Sequence, residues 1–198
     1  MEEIIYTYHD QVYANITNQC NCNCEFCVRS LHDGVGEATN LWMKADPTLE
    51  EIKNAMDAFD FSGFQELVFC GYGEPTCALE NLIAAAAYAK ERFGLTTRLN
   101  TNGLANRYHG HNVVGELARV IDRVSISLNA PDAEQYQRIV RPIHENAFAD
   151  MLSFADLARE AFTDTQLSVV DVLSKEEIEA CRRLADEHGI PLRIRRFA

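Results

Sequence analysis

The chain lacks several features that would have pointed to a membrane, secreted or multidomain protein. Its longest apolar runs, such as LIAAAAYA at 82–89, fall well short of the roughly 20 residues that span a bilayer. The first ten residues, MEEIIYTYHD, lack the basic start of a secretion signal. No internal repeat, low-complexity tract or Pro/Gly/Ser-rich linker divides the sequence. We therefore expect one domain over residues 1–198, located in the cytoplasm and without membrane contact.

Positive charge is also scarce. Lys and Arg number 18 against 30 Asp and Glu, which gives a formal net charge of -12 at pH 7. This balance disfavours sequence-independent attraction to a phosphate backbone. The compact basic stretch RIRR at 193–196 is too short to outweigh it. We expect the isolated chain not to bind long DNA or RNA.

Cysteine is rare except in one stretch, CNCNCEFC at 20–27, which holds four of the seven cysteines. In a reducing compartment such a cluster binds metal or does redox chemistry more often than it forms disulfides. A structural zinc site needs four ligands, usually as two pairs a dozen or more residues apart. No second Cys or His pair stands at that spacing, so a different metal centre is favoured.

Three of these cysteines, Cys20, Cys24 and Cys27, have the spacing C-x3-C-x2-C. Phe26 stands next to the last of them, and Cys22 is left over. Three thiolates on one short loop can hold three irons of a 4Fe-4S cluster and leave the fourth iron open to a ligand. Zinc and unliganded thiols are the alternative interpretations. We expect Cys22 to be a bystander.

Short apolar runs rich in β-branched residues alternate along the chain with longer stretches of helical spacing. Strand-helix-strand units predict right-handed crossovers and a parallel sheet. Thr48 with Glu51, and Ser174 with Glu177, predict capping boxes at the starts of two helices. The six predicted strands cover residues 12–17, 66–71, 96–101, 123–129, 166–172 and 191–197.

Polar residues recur at alternate positions of several predicted strands, and alternate residues of a strand share one face. A doubly wound sheet buries both faces and should have nearly continuous apolar strands. We therefore predict an α/β fold with helices outside and a polar lumen inside, a partial (β/α)6 barrel of the TIM type. Its chemistry should lie at the C-terminal ends of the strands. The polar positions are Asn15, Thr17, Asn100, Asn102, Ser125, Ser127, Asn129, Arg193 and Arg195.

The cysteine stretch resembles the CxxxCxxC signature of the radical S-adenosylmethionine (radical SAM) enzymes, including the aromatic Phe26. The predicted partial barrel is the fold of that family. The resemblance implies that Cys20, Cys24 and Cys27 ligate a 4Fe-4S cluster whose open iron chelates SAM. A donor such as flavodoxin or ferredoxin would reduce the cluster. SAM would then split into methionine and a 5'-deoxyadenosyl radical, which abstracts hydrogen from a substrate.

Other segments resemble the family at the expected strand ends. CGYGEPT at 70–76 is similar to the glycine-glycine-glutamate motif that receives the methionine amino group, although Tyr72 stands where the first glycine is usual. SISLN at 125–129 is similar to the ribose-contacting fourth strand, with Ser127 preferred to Ser125. LNTNG at 99–103 resembles a third-strand segment that faces cofactor and substrate.

These likenesses imply a set of residues around the cofactor. Asp171 and Arg195 join the set because they lie on the last two predicted strands, where they could reach the adenosyl group, the substrate or each other. The cofactor-binding residues predicted in this way are Phe26, Gly73, Glu74, Asn100, Ser125, Ser127, Asn129, Asp171 and Arg195.

A narrower resemblance is to the TatD-associated radical SAM proteins, which are small, core-only members encoded near, or fused to, hydrolases of the TatD type. Segments that carry it include DGVGEATNLW at 33–42 and VVDVLSKEEIEACR at 169–182. It implies a TatD-type hydrolase as a candidate partner and supplies no reaction. Two other functions stay open: an activating enzyme that forms a glycyl radical on a partner protein, and a non-catalytic iron-sulfur redox sensor.

Substrate specificity is expected from the long connections at the active-site end of the barrel. The connections are residues 28–47, with Arg29 and Trp42, and residues 104–112 and 140–146. Their cationic and aromatic residues suggest a substrate with an anionic or planar group.

Overall fold

One mixed sheet of seven strands forms the centre of the protein. The computed structural model describes residues 3–196, and within them the strands follow one another across the sheet in chain order. The first two strands pair antiparallel, and every later neighbour pairs parallel. The strands are β1 (Ile5–Tyr8), β2 (Gln11–Ala14), β3 (Glu66–Phe69), β4 (Thr96–Thr101), β5 (Arg123–Ser127), β6 (Asp164–Val170) and β7 (Leu192–Arg195).

Helices connect all the parallel strands, which confirms the predicted α/β partial barrel with six parallel strands. A helix lies in the connection at 104–112, where a loop was expected. None of the helices in residues 3–196 combines the length and hydropathy needed to cross a membrane. The helices are α1 (Leu49–Ala58), α2 (Leu79–Phe93), α3 (Ala105–His109), α4 (Val114–Leu117), α5 (Ala133–Val140), α6 (Ala147–Ala161) and α7 (Lys175–Glu187).

The two predicted capping boxes are present. Thr48 caps α1 by accepting from the Glu51 N–H, and the Glu51 carboxylate accepts from the Thr48 N–H at 2.8 Å. Ser174 and Glu177 make the same pair of bonds at the start of α7. Each box satisfies backbone N–H groups that have no partner inside the helix. Both helix starts are therefore determined by a pair of residues three positions apart.

The β1 strand is absent from the six predicted strands. His9 and Asp10 connect it to β2, and both have positive φ, 46° and 57°. Two consecutive residues in this region make a tight hairpin turn, for which Asn-Gly or Asp-Gly is the usual signal. The pair His-Asp gives no such signal, so the hairpin was not visible in the sequence. Phe197, at the end of the sixth predicted strand, lies outside the described residues.

The two faces of the sheet differ as the strand alternation predicts. One face packs against the helices and holds the main core, and its strand residues are fully or almost fully buried. They include Val12, Leu67, Leu99, Val124, Ile126 and Leu167. The opposite face carries the polar residues: Asn100 lies beside Ser125, and Ser127 lies beside Ser168 in the parallel register. The polar lumen is thus a direct consequence of strand parity.

Replacing Ser174 with Ala should lower the free energy of unfolding by about 1 kcal/mol, because the Glu177 N–H loses its acceptor. Chemical denaturation measures this loss. Glu176→Ala is the matched control, since Glu176 is exposed in the same helical turn and is not part of the capping box. It should cost no more than a few tenths of a kcal/mol. Equal losses in the two variants would contradict the assigned cap.

Candidate active site

The cysteine loop, defined as residues 20–27, follows β2 after a short polar segment, residues 17–19. The carboxylate of Asp46 holds that segment in place. It accepts hydrogen bonds from the Thr17 hydroxyl (2.8 Å), the Asn18 N–H (2.8 Å) and the Gln19 side-chain amide (2.6 Å). Sequence reasoning missed Asp46, because no local motif distinguishes it from any aspartate near a helix start. Its role depends on a contact across 27 to 29 residues of chain.

The segment after β3 lies directly against the segment that leads into the cysteine loop. The Glu74 N–H donates to the Gln19 carbonyl at 2.7 Å. A Cβ atom on Gly73 would lie 2.3 Å from the Thr17 carbonyl oxygen, a distance that a side chain cannot adopt. Glycine is therefore required at residue 73 for the two backbones to meet. This contact places Glu74 next to the cysteine loop.

Glu74 is a buried carboxylate, 5% exposed. Its Oε1 accepts from the Thr76 N–H (3.1 Å), the Thr76 hydroxyl (2.8 Å) and the Thr101 hydroxyl (2.8 Å). Its Oε2 accepts from the Asn102 N–H at 2.8 Å. Burial raises the pKa of Glu74, and these donors act against that rise. Because Oε2 takes a single bond, it keeps acceptor capacity for a ligand amine.

The thiols of Cys20, Cys24 and Cys27 are half-buried and lie close enough to influence one another. Burial raises the pKa of Cys24 to about 12, and the two neighbouring thiols add to the rise. A hydrogen bond with the Cys22 thiol lowers the pKa of Cys20. No group of three or more His, Cys, Asp or Glu side chains in residues 3–196 is arranged to hold a metal ion. The three motif cysteines nevertheless supply thiolates, which are the protein ligands that iron-sulfur clusters take.

Cys22 lies in the main hydrophobic core, 4% exposed, in contrast to the three motif cysteines. The Asn102 side-chain amide donates to the Cys22 sulfur at 3.5 Å and to Asn21 Oδ1 at 2.5 Å. The Leu104 N–H donates to the other end of the same side chain, Asn102 Oδ1, at 3.0 Å. Asn102 thus caps its own turn and also ties the end of β4 to the cysteine loop.

A wall of polar side chains continues from this edge across β4 to β7. Ser125 and Asn129 are buried, and Asn129 has a positive φ of 55°. Arg195 Nη2 donates to Ser127 Oγ at 3.5 Å, a weak contact, and burial lowers the pKa of Arg195. Two buried polar atoms on the wall have no hydrogen-bond partner, Asn129 Oδ1 and Arg195 Nε. A buried polar atom without a hydrogen-bond partner lowers the stability of the fold, unless a ligand or a water molecule supplies the missing bond.

The remaining predicted site residues lie around this wall. Asn100 is half-buried and hydrogen-bonds the Cys70 thiol, and Phe26 is half-buried inside the cysteine loop. Asp171 is exposed, and its N–H donates to the Arg195 carbonyl at 2.9 Å. This backbone bond places Asp171 and Arg195 at neighbouring strand ends, and a pairing of their side chains stays a prediction.

A surface cavity of about 570 Å³ opens next to the turn that follows Glu74. None of the polar wall residues from β4 to β7 lines it. The lining includes Gln19, Asp46, Cys77, His109 and Glu116. His109 Nε2 lies 2.8 Å from the Thr76 carbonyl, so this ring helps to hold the turn that carries Glu74.

Curated proteins similar to this chain include two named GTP 3',8-cyclase. The one from Mycolicibacterium smegmatis is 29% identical over 189 residues, which cover 91% of this chain and 48% of that protein. The one from Corynebacterium glutamicum (strain ATCC 13032) is 29% identical over 137 residues, which cover 65% of this chain and 33% of that protein. The chain thus spans about half the length, or less, of these curated relatives.

Solved structures with a similar fold include SuiB from Streptococcus suis bound to S-adenosylmethionine. It superposes with a TM-score of 0.65 at 19% identity, over 94% of this chain and 38% of that chain. Methylornithine synthase (PylB) superposes with a TM-score of 0.65 at 15% identity, over 96% of this chain and 55% of that chain. At these identities the likeness concerns the fold alone.

The family model of the radical SAM superfamily matches residues 14–186, from the last residue of β2 into α7. That span contains the cysteine loop, Glu74 and most of the polar wall, so the match includes the features that geometry brings to one edge of the sheet. Because the match covers most of the sequence, the chain belongs to the radical SAM superfamily, whose members use a 4Fe-4S cluster and SAM.

Proposed function

We propose that the protein removes a hydrogen atom from a small substrate by radical SAM chemistry. The observation that carries this proposal is the backbone contact between Gly73–Glu74 and residues 17–19, which brings a buried carboxylate next to the start of the cysteine loop. When bound, a reduced 4Fe-4S cluster supplies the electron that cleaves SAM to a 5'-deoxyadenosyl radical. The protein's own residues hold, orient and shield the reactants.

Cys20, Cys24 and Cys27 are the proposed cluster ligands, with Phe26 beside them. Three thiolates without a fourth protein ligand suit a cluster with one open iron. The half-buried positions of the three thiols support this assignment, since a ligand can reach side chains that are not fully buried. Cys22 is excluded from the proposal because its side chain packs in the core.

Gly73 and Glu74 are proposed to receive the methionine amino group of SAM. A buried carboxylate oxygen with remaining acceptor capacity is a suitable partner for an ammonium group, and the charge-assisted bond is strong in a dry site. The donors from Thr76, Thr101 and Asn102 fix the orientation of the carboxylate. Glu74 would therefore meet the amine without first having to reorganise.

The polar wall is proposed to hold the rest of SAM. The unpartnered Asn129 Oδ1 is an acceptor and the unpartnered Arg195 Nε is a donor, a combination that fits a ligand with both hydroxyl and acceptor groups. The full set proposed to line the adenosyl part of the site is Asn100, Ser125, Ser127, Asn129, Asp171 and Arg195.

The substrate is proposed to be a small molecule, a single nucleotide or a short peptide. The name of the curated relatives, GTP 3',8-cyclase, keeps a single nucleotide among these candidates. The net charge of -12 argues against a long polyanion. Family membership supports an enzyme over a redox sensor.

We also propose the following context. Residues 1–198 form a single radical SAM core domain, which is supported by the one sheet and the main core that runs along it. A flavodoxin or ferredoxin supplies the electron, and a TatD-type hydrolase is a partner by way of the TatD-associated resemblance. All seven cysteines are free, which fits a reducing cytoplasm.

The cluster assignment is tested by single Cys→Ala variants after anaerobic reconstitution. Changes at Cys20, Cys24 or Cys27 should abolish the cluster, because each removes one of three ligands. Cys22→Ala is the matched control and should keep it. Iron content, visible absorption and release of 5'-deoxyadenosine from SAM under dithionite are the measurements. Loss of the cluster in Cys22→Ala together with its retention in Cys24→Ala would show that a different set of cysteines binds it.

The Glu74 assignment is tested by Glu74→Gln. The amide oxygen can keep the bonds made to Oε1, but the acceptor and the charge at Oε2 are lost. Affinity for SAM should fall roughly ten- to a hundred-fold, or about 1.5 to 3 kcal/mol, with iron content unchanged. Glu80→Gln, at an exposed residue in the first turn of α2, is the control. A dissociation constant equal to that of the wild type would remove Glu74 from the SAM site.

The small-substrate proposal is tested by titrating labelled single- and double-stranded DNA and RNA at two salt concentrations. We expect no appreciable binding at physiological salt, because the net charge is -12 and RIRR at 193–196 is short. Binding through several phosphates would show a steep salt dependence, with a slope near one per phosphate neutralised. Tight, steeply salt-dependent binding would contradict the prediction and direct attention to nucleic acid.

A further inference from the structure

Arg29 stands two residues past Cys27, and its guanidinium lies between three backbone segments. Nη1 is 3.4 Å from the carbonyl oxygens of both Asn18 and Tyr72, and Nη2 is 3.4 Å from that of Cys22. These contacts join the segment before the cysteine loop, the loop itself and the segment after β3. The expectation that Arg29 recognises an anionic substrate is not favoured by this geometry, since its donors point at the protein's own carbonyls.

Two aromatic residues hold Arg29 in this position. The guanidinium carbon lies 5.9 Å from the ring centroid of Trp42, within the range of a cation–π contact. Trp42 packs edge-on against Tyr72, with the ring centroids 5.2 Å apart. Tyr72 is 3% exposed, and its hydroxyl donates to the His32 carbonyl. Tyr72, which stands where the motif usually has its first glycine, therefore packs against Trp42, and Trp42 in turn supports Arg29.

The charge of Arg29 acts on the cysteine loop. The Arg29 Nη2 lies 3.4 Å from the Cys22 carbonyl oxygen inside the loop, so the positive charge is held against the loop backbone. Arg141 also lies beside this loop, 3.6 Å from Glu25 and with about half of its side chain exposed. The charge of Arg141 is therefore paired with a carboxylate, whereas that of Arg29 makes no ion pair within residues 3–196.

We propose that Arg29 is a positioning residue that raises the reduction potential of a 4Fe-4S cluster held by the cysteine loop. The inference rests on the proposed function, because it requires that cluster. Reduction adds one electron and no proton, and no bond forms or breaks. A cation fixed against the loop stabilises the added negative charge, and nearby charge is a determinant of cluster potential. Arg29 thereby makes the cluster easier to reduce for a low-potential donor.

The test is a potentiometric titration, with dithionite as reductant and electron paramagnetic resonance as readout. It compares the reconstituted wild type with Arg29→Gln, Arg29→Lys and Arg141→Gln. Arg29→Gln should lower the midpoint potential by about 60 mV, a tenfold change in a one-electron equilibrium. Arg29→Lys keeps the charge but not the forked donors, so it should show a smaller fall. Arg141→Gln should match the wild type, because Arg141 is paired with Glu25.

The outcomes separate this inference from the proposed function. A wild type that binds four irons, with an unchanged potential in Arg29→Gln, would overturn the role of Arg29 and leave the proposed function standing. A wild type that holds no cluster would overturn both. Should Arg29→Gln fail to retain iron, Arg29→Met, which also removes the charge, takes its place: a potential below the wild type supports the role, and an equal potential overturns it.

A second readout needs no cluster. Trp42 is the sole tryptophan of the chain and is 39% exposed, so its fluorescence reports the Arg29 contact in iron-free protein. Arg29→Gln should shift the emission to longer wavelength as the ring loses its cover, whereas Arg141→Gln should not. Identical emission from the wild type and Arg29→Gln would mean that Arg29 does not rest on Trp42 in solution, and the positioning role would fall.

Discussion

The close approach of two backbone segments is the constraint on which the candidate site depends. Residues 17–19 follow β2 and residues 71–74 follow β3, and they meet through the 2.7 Å bond from the Glu74 N–H to the Gln19 carbonyl. Neighbouring parallel strands end at the same edge of a sheet, so the two segments are brought near by the fold. The absence of a side chain at Gly73 allows the remaining approach. Any larger residue there would separate the cysteine loop from Glu74.

Burial of a carboxylate destabilises the folded protein unless the carboxylate is well hydrogen-bonded. In this protein, groups from two strand ends supply those hydrogen bonds. Thr76 lies in the turn after β3, while Thr101 and Asn102 come from the end of β4. The side-chain amide of Asn102 also reaches the cysteine loop at Asn21. The ends of β2, β3 and β4 are thus connected through one polar network. Such a network is rigid when fully satisfied, which suits a site that must hold a ligand in one orientation.

Apart from a 3-10 turn at Val28–Ser30, the long connection over 28–47 is ordered by specific contacts and not by secondary structure. Asp46 binds the segment before the cysteine loop from one side. From the other side, Leu41 packs with Tyr6 and Tyr72 in a small apolar cluster, and Arg29 lies against Trp42. A connection of this length without regular structure is usually functional. Here it surrounds the cysteine loop, so the residues that orient the proposed cluster ligands come largely from outside the motif.

The sequence by itself determined the features that depend on short-range patterns. Strand parity placed Ser125 and Ser127 on one polar face, Ser174 with Glu177 marked a helix start, and cysteine spacing located the candidate metal ligands, because each signal lies within a few residues. Tertiary structure decided what depends on distant segments. It placed Asp46 against residues 17–19 and directed the Arg29 guanidinium at three carbonyl oxygens. It also left Arg195 Nε without a hydrogen-bond partner among residues 3–196. It also formed the β1 hairpin through two residues of positive φ that carry no usual turn signal. Contacts between segments many residues apart depend on how the sheet and its loops pack, and no local pattern records that packing.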